Sequence, residues 1–244
     1  MSDFPENTTV GLVFQARYTL QPVMSYWGFV SAIRMLTGNN IGVSPHLAET
    51  QAAGYQMAVR YFMEKTTHDY LIIVDVDVTP PDFGLEFLVK AFEQQESPGV
   101  MVALTFWQPA ATPNLFKRAG TERIDGYSFP RYTPMMNEVG KFVVQYQHET
   151  ARGGNPLMLP PTEDAIIDVD TFNGGMFVVS REVLKMMGQL VFHERKGTAM
   201  GTFTNQVRLL GRSVKAAMHI VCSGGGVNHI DFLTKYGKPK NQER

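Results

Sequence analysis

The 244-residue sequence predicts an α/β fold: a mixed, mainly parallel sheet flanked by helices, with a smaller antiparallel region in its second half. Three observations predict it. In the stretch Tyr70 to Pro81, an apolar, β-branched run stops abruptly at two carboxylates, Asp75 and Asp77, followed by a Pro pair. Strand and helix patterns alternate up to Phe106. Between Trp107 and Pro161, scattered Pro, Gly and aromatic residues replace that alternation, a composition that points to an inserted antiparallel region or long loops.

Thr9 to Gln15 reads as the first strand, and Val23 to Leu36 as a helix with Tyr26, Phe29, Val30 and Ile33 on one face. A short strand at Ile41 to Val43 precedes a turn at Ser44-Pro45. A helix from about Leu47 to Lys65 follows, with Ala52, Tyr55, Val59 and Phe62 on one side and Arg60 on its surface. It delivers the chain to the strand that ends in acids. This β-α-β-α-β order is that of a parallel sheet with covering helices. Thr79-Pro80-Pro81-Asp82 reads as the cap and first turn of a helix carrying Phe87, Leu88, Ala91 and Phe92. Val100 to Thr105 is the next strand, and Lys141 to Gln147 reads as another.

Beyond Asp164 the pattern becomes regular again. Ala165 to Asp170 reads as a strand, Phe172-Asn173-Gly174-Gly175 as a turn of close backbone approach, and Met176 to Val179 as a strand. Ser180 caps the helix that follows. Phe203, Val207 and Leu210 mark a further helix stopped by Gly211, and Val214 to Val221 is the last strand. The chain then passes Gly224-Gly225-Gly226 and His229 into a tail with Lys235, Lys238, Lys240 and Arg244.

Composition narrows the function classes. Hydrophobic residues at 44% and charged residues at 18% describe a folded globular chain, not a disordered one. A net charge of -1 gives no overall attraction to nucleic acid or anionic membrane, so any polyanion contact has to be local. Cys222 is the single cysteine and reads as a packed small residue. No secretory leader or membrane span is legible, which makes a reducing cytoplasm the expected location.

Asp75 and Asp77 are two positions apart at a strand's carboxyl end. If both stay extended, their side chains emerge on one side. In an open α/β sheet that edge is where ligands bind, and a pair of hard oxygen donors there suits Mg²⁺ or Mn²⁺ holding a diphosphate. With Thr79 available as the cap, neither acid is needed for capping.

Four features in order carry a resemblance: the strand and loop with Arg17, Asp75-Val76-Asp77, the turn and strand Phe172-Asn173-Gly174-Gly175-Met176-Phe177 followed by a helix, and the late His229. Together they resemble the GT-A type glycosyltransferases, particularly compact bacterial and phage-like members. The resemblance implies a single GT-A-like (Rossmann-like) domain over 1-244. Residues 8-106 would form its nucleotide-sugar half, 107-234 the acceptor side and 235-244 a basic tail. It also implies transfer of a sugar from a nucleoside-diphosphate sugar to an acceptor hydroxyl, with Mn²⁺ or Mg²⁺ as cofactor. Asp77 would be a direct metal ligand, Asp75 would contact the metal or the donor ribose, and His229 would match the late third ligand. Gln15 and Arg17 match the region that binds the nucleotide, where Arg pairs with phosphate and Gln reaches base or ribose.

The sequence departs from the pattern at one place. Many inverting members carry an acidic pair at the start of the helix containing Phe203, whereas this chain has Gly201-Thr202-Phe203-Thr204. Glu194 and Asp170 are the candidate replacements for the general base. A nucleotidyltransferase is an alternative, ranked lower because Gln15-Ala16-Arg17 lacks a Gly-rich phosphate loop. A catalytically silent nucleotide- or sugar-binding module on the same scaffold is another. The acceptor is open at this point: glycan, modified nucleic acid, protein or small molecule.

Overall fold

The computed structural model describes residues 7–15, 42–81, 83–107, 112–124, 127–150, 165–189, 191–192 and 199–224. The expected helix at Val23 to Leu36, Arg17, Glu194, His229 and the basic tail lie outside them. The strands are β1 Thr8–Gln15, β2 Gly42–Ala48, β3 Tyr70–Asp75, β4 Val78–Thr79, β5 Pro98–Trp107, β6 Thr112–Pro113, β7 Leu115–Ile124, β8 Tyr127–Pro134, β9 Ile166–Asp168, β10 Thr171–Phe172, β11 Met176–Ser180 and β12 Ser213–Gly224. The helices are α1 Gln51–Lys65, α2 Gly84–Glu93, α3 Met136–Thr150, α4 Arg181–Met187 and α5 Ala199–Leu209.

The main sheet runs β2-β1-β3-β11-β5-β12-β4. β2, β1 and β3 are parallel, β12 is parallel to β5, and β11 lies antiparallel between β3 and β5. The carboxyl ends of β1, β3, β5 and β12 therefore share one edge with the turn that enters β11. A separate sheet, β10-β7-β8, is antiparallel and small. The expected mixed, mainly parallel sheet with an antiparallel appendage is the fold observed.

β3 shows why its run is unbroken. Leu71 and Ile73 belong to the core on one side of the sheet and Ile72 and Val74 to the core on the other, and all four are fully buried. A strand covered on both faces has no solvent side to write in polar residues. The first core is closed by α1, α3, α4 and α5, the second by α2. Tyr55, Phe172, Phe177, Phe192 and Phe203 interlock in the first, with ring centroids 4.6 Å apart for the stacked Phe192–Phe203 pair and 5.5 Å for Tyr55–Phe177.

Three local expectations are corrected. Lys141 to Gln147 is helical within α3, because Val139 and Val143, four residues apart, bury one helical stripe against the first core. Ser44 and Pro45 lie inside β2, an edge strand where a missing amide is tolerated. Thr79 does not cap a helix: it pairs with Ser223 in β4, and α2 starts after Phe83, whose φ of 59° is left-handed. Other expected signals hold. Ser180 Oγ accepts from Val183 N at 3.3 Å, and Gly211, at φ 71°, follows α5. Cys222 is buried, and burial pushes its thiol up to about 12.

Arg181 ties α4 to the end of α1. Its guanidinium donates to Phe62 O (2.8 Å), Thr66 O (3.0 Å), Thr66 Oγ1 (2.9 Å) and His68 O (2.6 Å), and lies 4.1 Å from the Phe62 ring centre. Phe62 and Thr66 lie at the end of α1 and His68 just beyond it, and a planar fork can satisfy their carbonyls together. Arg181→Lys is expected to lower unfolding free energy by about 2 kcal/mol, read as a shift in urea midpoint at unchanged slope, since an ammonium cannot serve all of them.

Candidate functional site

The alternation along β3 puts Asp75 on the Leu71 and Ile73 face, which α1 covers. Its carboxylate is consequently buried under the first turn of that helix, at 5 % exposure. Thr50 starts the helix, its side chain accepting from Ala53 N at 3.2 Å. Gln51 and Tyr55, one turn apart, then point at the same target. Tyr55 Oη donates to Asp75 Oδ1 (2.8 Å) and Oδ2 (2.9 Å), and Gln51 Nε2 donates to Oδ2 (3.1 Å) and to Tyr55 Oη (2.6 Å). The aromatic core beneath Tyr55 fixes the ring and so the aim of its hydroxyl.

From the opposite side comes the Gly-Gly turn. Gly175 N donates to Asp75 Oδ2 at 2.8 Å, and Asp75 N donates back to Gly175 O at 2.9 Å. Gly174 is at φ 62° and Gly175 at φ 97°, and a Cβ on Gly174 would lie 2.3 Å from Asp75 Oδ2. Asn114, fully buried, holds this turn from behind. Its Nδ2 donates to Gly174 O and Ala103 O, both at 3.1 Å, its Oδ1 accepts from Thr105 N at 2.9 Å, and its backbone O accepts from Asn173 N at 2.8 Å.

Asp77 is placed differently. β3 ends at Asp75, and Val76 and Asp77 form the turn into β4, so the two acids are not consecutive same-face residues of one strand. The expected common side rested on both staying extended. Asp77 is half-buried at the sheet edge, and its charge reaches the Asp75–Tyr55 pair. Burial, chiefly, and then the neighbouring Asp77 charge push the Asp75 carboxyl up to about 7, against the lowering effect of Gly175, Tyr55 and Gln51. Burial and the Asp75 carboxylate drive the Tyr55 hydroxyl well above its ordinary range.

Among the described residues no three His, Cys, Asp or Glu side chains gather as a metal cage. The donor chemistry nevertheless fits a hard divalent cation. Mg²⁺-type sites characteristically use one or two carboxylates, completed by substrate phosphate oxygens and water. Asp77 is an edge carboxylate of that kind, adjacent to a second acid whose ionisation it opposes.

Of the other candidate residues, Gln15 is the last residue of β1 and reaches the same edge. Asp170 sits at the root of the β7–β8 hairpin. Its Oδ2 accepts from Arg118 N at 2.8 Å, its Oδ1 lies 3.7 Å from Arg208 Nη2, and its N donates to Phe116 O at 3.0 Å. Gln51 and Asn114 were not anticipated. A polar residue four before Tyr55, on its buried face, is a legible signal for the first; no periodic pattern marks the second.

The chain matches no protein-family model, and no curated protein matches it. Solved structures do match. A197 from STIV superposes with a TM-score of 0.53 at 12% identity, covering 88% of this chain and 84% of that one. GalNAc-T7 with UDP, GalNAc and Mn²⁺ gives 0.50 at 12%, covering 91% of this chain and 45% of its own, so this chain spans less than half of that structure. A Drosophila β-1,4-galactosyltransferase 7 variant with manganese, UDP-Gal and xylobiose gives 0.44 at 14%, covering 86% and 65%. The first two likenesses concern the fold alone, which is GT-A-like.

Proposed function

We propose that this protein is a metal-dependent glycosyltransferase that moves a sugar from a nucleoside-diphosphate sugar to an acceptor hydroxyl. The observation that carries the reading is the strand-end pair: on a GT-A-like sheet, Asp75 is locked by α1 and the Gly-Gly turn while Asp77 stands just past the carboxyl end of β3, the edge where open α/β sheets characteristically take ligands. Asp77 would hold Mn²⁺ or Mg²⁺. Asp75, with Oδ2 accepting three hydrogen bonds, would set the position of that edge and leave only Oδ1 with capacity for metal or ribose. His229 would complete the ligands, and Gln15 and Arg17 would face the nucleotide. When bound, the cation neutralises charge on the departing diphosphate.

For the general base, Glu194 is the preferred candidate of the two, because both Asp170 oxygens face partners at the hairpin root. One observation favours a catalytically silent binding module instead: α5 has no acid in its first turn, and the segment Gly201-Thr202-Phe203-Thr204 within it holds no carboxylate, Phe203 and Thr204 being buried. A nucleotidyltransferase has no comparable support.

The deciding experiment is calorimetric titration with nucleoside diphosphates in Mn²⁺ and then in chelator. UDP comes first because the GalNAc-T7 structure holds it with Mn²⁺. One nucleotide is expected to bind only with metal, and Asp77→Asn is expected to weaken that binding at least about a hundredfold, as loss of a charged ligand does. No metal-dependent binding by the wild type would sink the proposal. Binding without transfer or donor hydrolysis across an acceptor panel would leave the silent module.

A further inference from the structure

The β7–β8 hairpin is a strongly charged arm that the donor site does not use. It leaves the body directly after Asn114, the residue holding Gly174, and pairs at its root with β10, which leads into the Gly-Gly turn. Ten residues of β7 reach roughly 33 Å at strand rise, and Lys117 through Arg123 are all exposed.

Its register sorts the charges. Arg118 pairs with Tyr132, but Gly120 pairs with Arg131, so Ala119 is an extra residue, a β-bulge. Without the bulge, alternation would place Arg118 on one face with Gly120 and Glu122. With it, Arg118, Thr121 and Arg123 share the face of Tyr132, Pro130 and Ser128, while Lys117, Glu122 and Arg131 fall on the other. Arg118 Nη2 lies 3.5 Å from Thr121 Oγ1, as residues on one face should. Near the root Arg208 approaches through Asp170, which it meets at 3.7 Å and which accepts from Arg118 N at 2.8 Å; burial, chiefly, holds the Tyr132 hydroxyl above its ordinary range, with Arg208 and Arg118 pulling against it. Asp170 is the acid among them. On the other face Lys117 is neutralised by Glu138 at 2.7 Å.

We infer that the Arg118–Arg123–Tyr132 face of this arm binds a nucleic acid strand and presents it to the sheet edge as the acceptor. The occupant follows from the chemistry. The two cations that β7 puts on this face, Arg118 and Arg123, are arginines, whose planar forks match phosphate oxygens, and a tyrosine ring, Tyr132, stands directly across from Arg118 as a stacking platform for a base. Since the whole chain carries a net charge of -1, the concentration of positive charge on one ribbon face is not the by-product of a basic protein. The acceptor role rests on the glycosyltransferase reading; the binding surface does not.

The test is fluorescence anisotropy of the full chain with a labelled single-stranded oligodeoxynucleotide, between about 50 and 200 mM salt. The wild type is expected to bind with strong salt dependence. The exposed double substitution Arg118→Gln with Arg123→Gln should weaken binding at least about tenfold and flatten the log K against log salt slope by about 1.4, two contacts at ~0.7 each. Arg131→Gln, on the opposite face, should leave both unchanged. Absence of wild-type binding, or equal losses in Arg131→Gln and the double variant, would overturn the inference. Tighter binding of heparin with the same arginine dependence would overturn the assignment to nucleic acid. Because the nucleotide titration reads the sheet edge and the oligonucleotide the arm, failure of one is distinguishable from failure of the other.

Discussion

Gly174→Ala is expected to cost about 3 kcal/mol or more of stability and to disorder the Asp75 site with it. Two terms act in the same direction. At φ 62° an alanine bears the left-handed penalty of about 1 kcal/mol. The added methyl would also stand 2.3 Å from Asp75 Oδ2, 2.5 Å from Gln51 Nε2 and 2.8 Å from Tyr55 Oη, and none of these can retreat without breaking the hydrogen bonds that keep a buried carboxylate satisfied. Gly211→Ala is the control. Its φ is 71° and a Cβ there meets nothing within 4 Å, so only the backbone term applies, about 1 kcal/mol. Urea unfolding of the two variants measures the difference. Equal losses would mean that the Gly-Gly turn is not tightly packed on Asp75.

The same turn shows how far the sequence could be read. Gly174 and Gly175 stood out as a place of close approach, and Asp75 and Asp77 as strand-end acids, because both signals are local and short. What they approach is not local. Asp75 meets residues from α1 and from the turn before β11, 20 to 100 positions away. Alternation predicted the wrong outlook for the pair because it holds only while the strand lasts, and β3 ends at its first acid. β3 itself was legible because burial on both faces leaves an unbroken apolar run. α3 was not, because Phe142-Val143-Val144 reads equally as strand or helix over a few residues, and only the spacing of Val139 and Val143 against the finished core decides. Asn114 carries no signal at all. Its place depends on β5 and on Gly174, 60 residues away, arriving on either side of its amide.

Asp75 is also expected to make the protein less stable as pH rises through the acid range. Its carboxyl is raised to about 7 in the fold, first by burial, against an ordinary value of 3.8 in the unfolded chain. Between those values the native state keeps a proton that the unfolded state has released, so the stabilisation is complete below about pH 4, is lost as pH rises toward 7, and changes no further above that. The full difference is on the order of 4 kcal/mol as an upper bound. Chemical denaturation in chelator from pH 4 to 8 should show this falling limb, and Asp75→Asn should flatten it even though the amide disturbs the Tyr55 and Gln51 contacts. The metal reading adds a second arm. A divalent cation held by Asp77 replaces a like charge near Asp75 with an opposite one, which favours the ionised carboxylate, so Mn²⁺ with the binding nucleotide should shrink the limb. A slope that persists unchanged in saturating metal and nucleotide would separate the two acids electrostatically and leave Asp75 with a structural role alone.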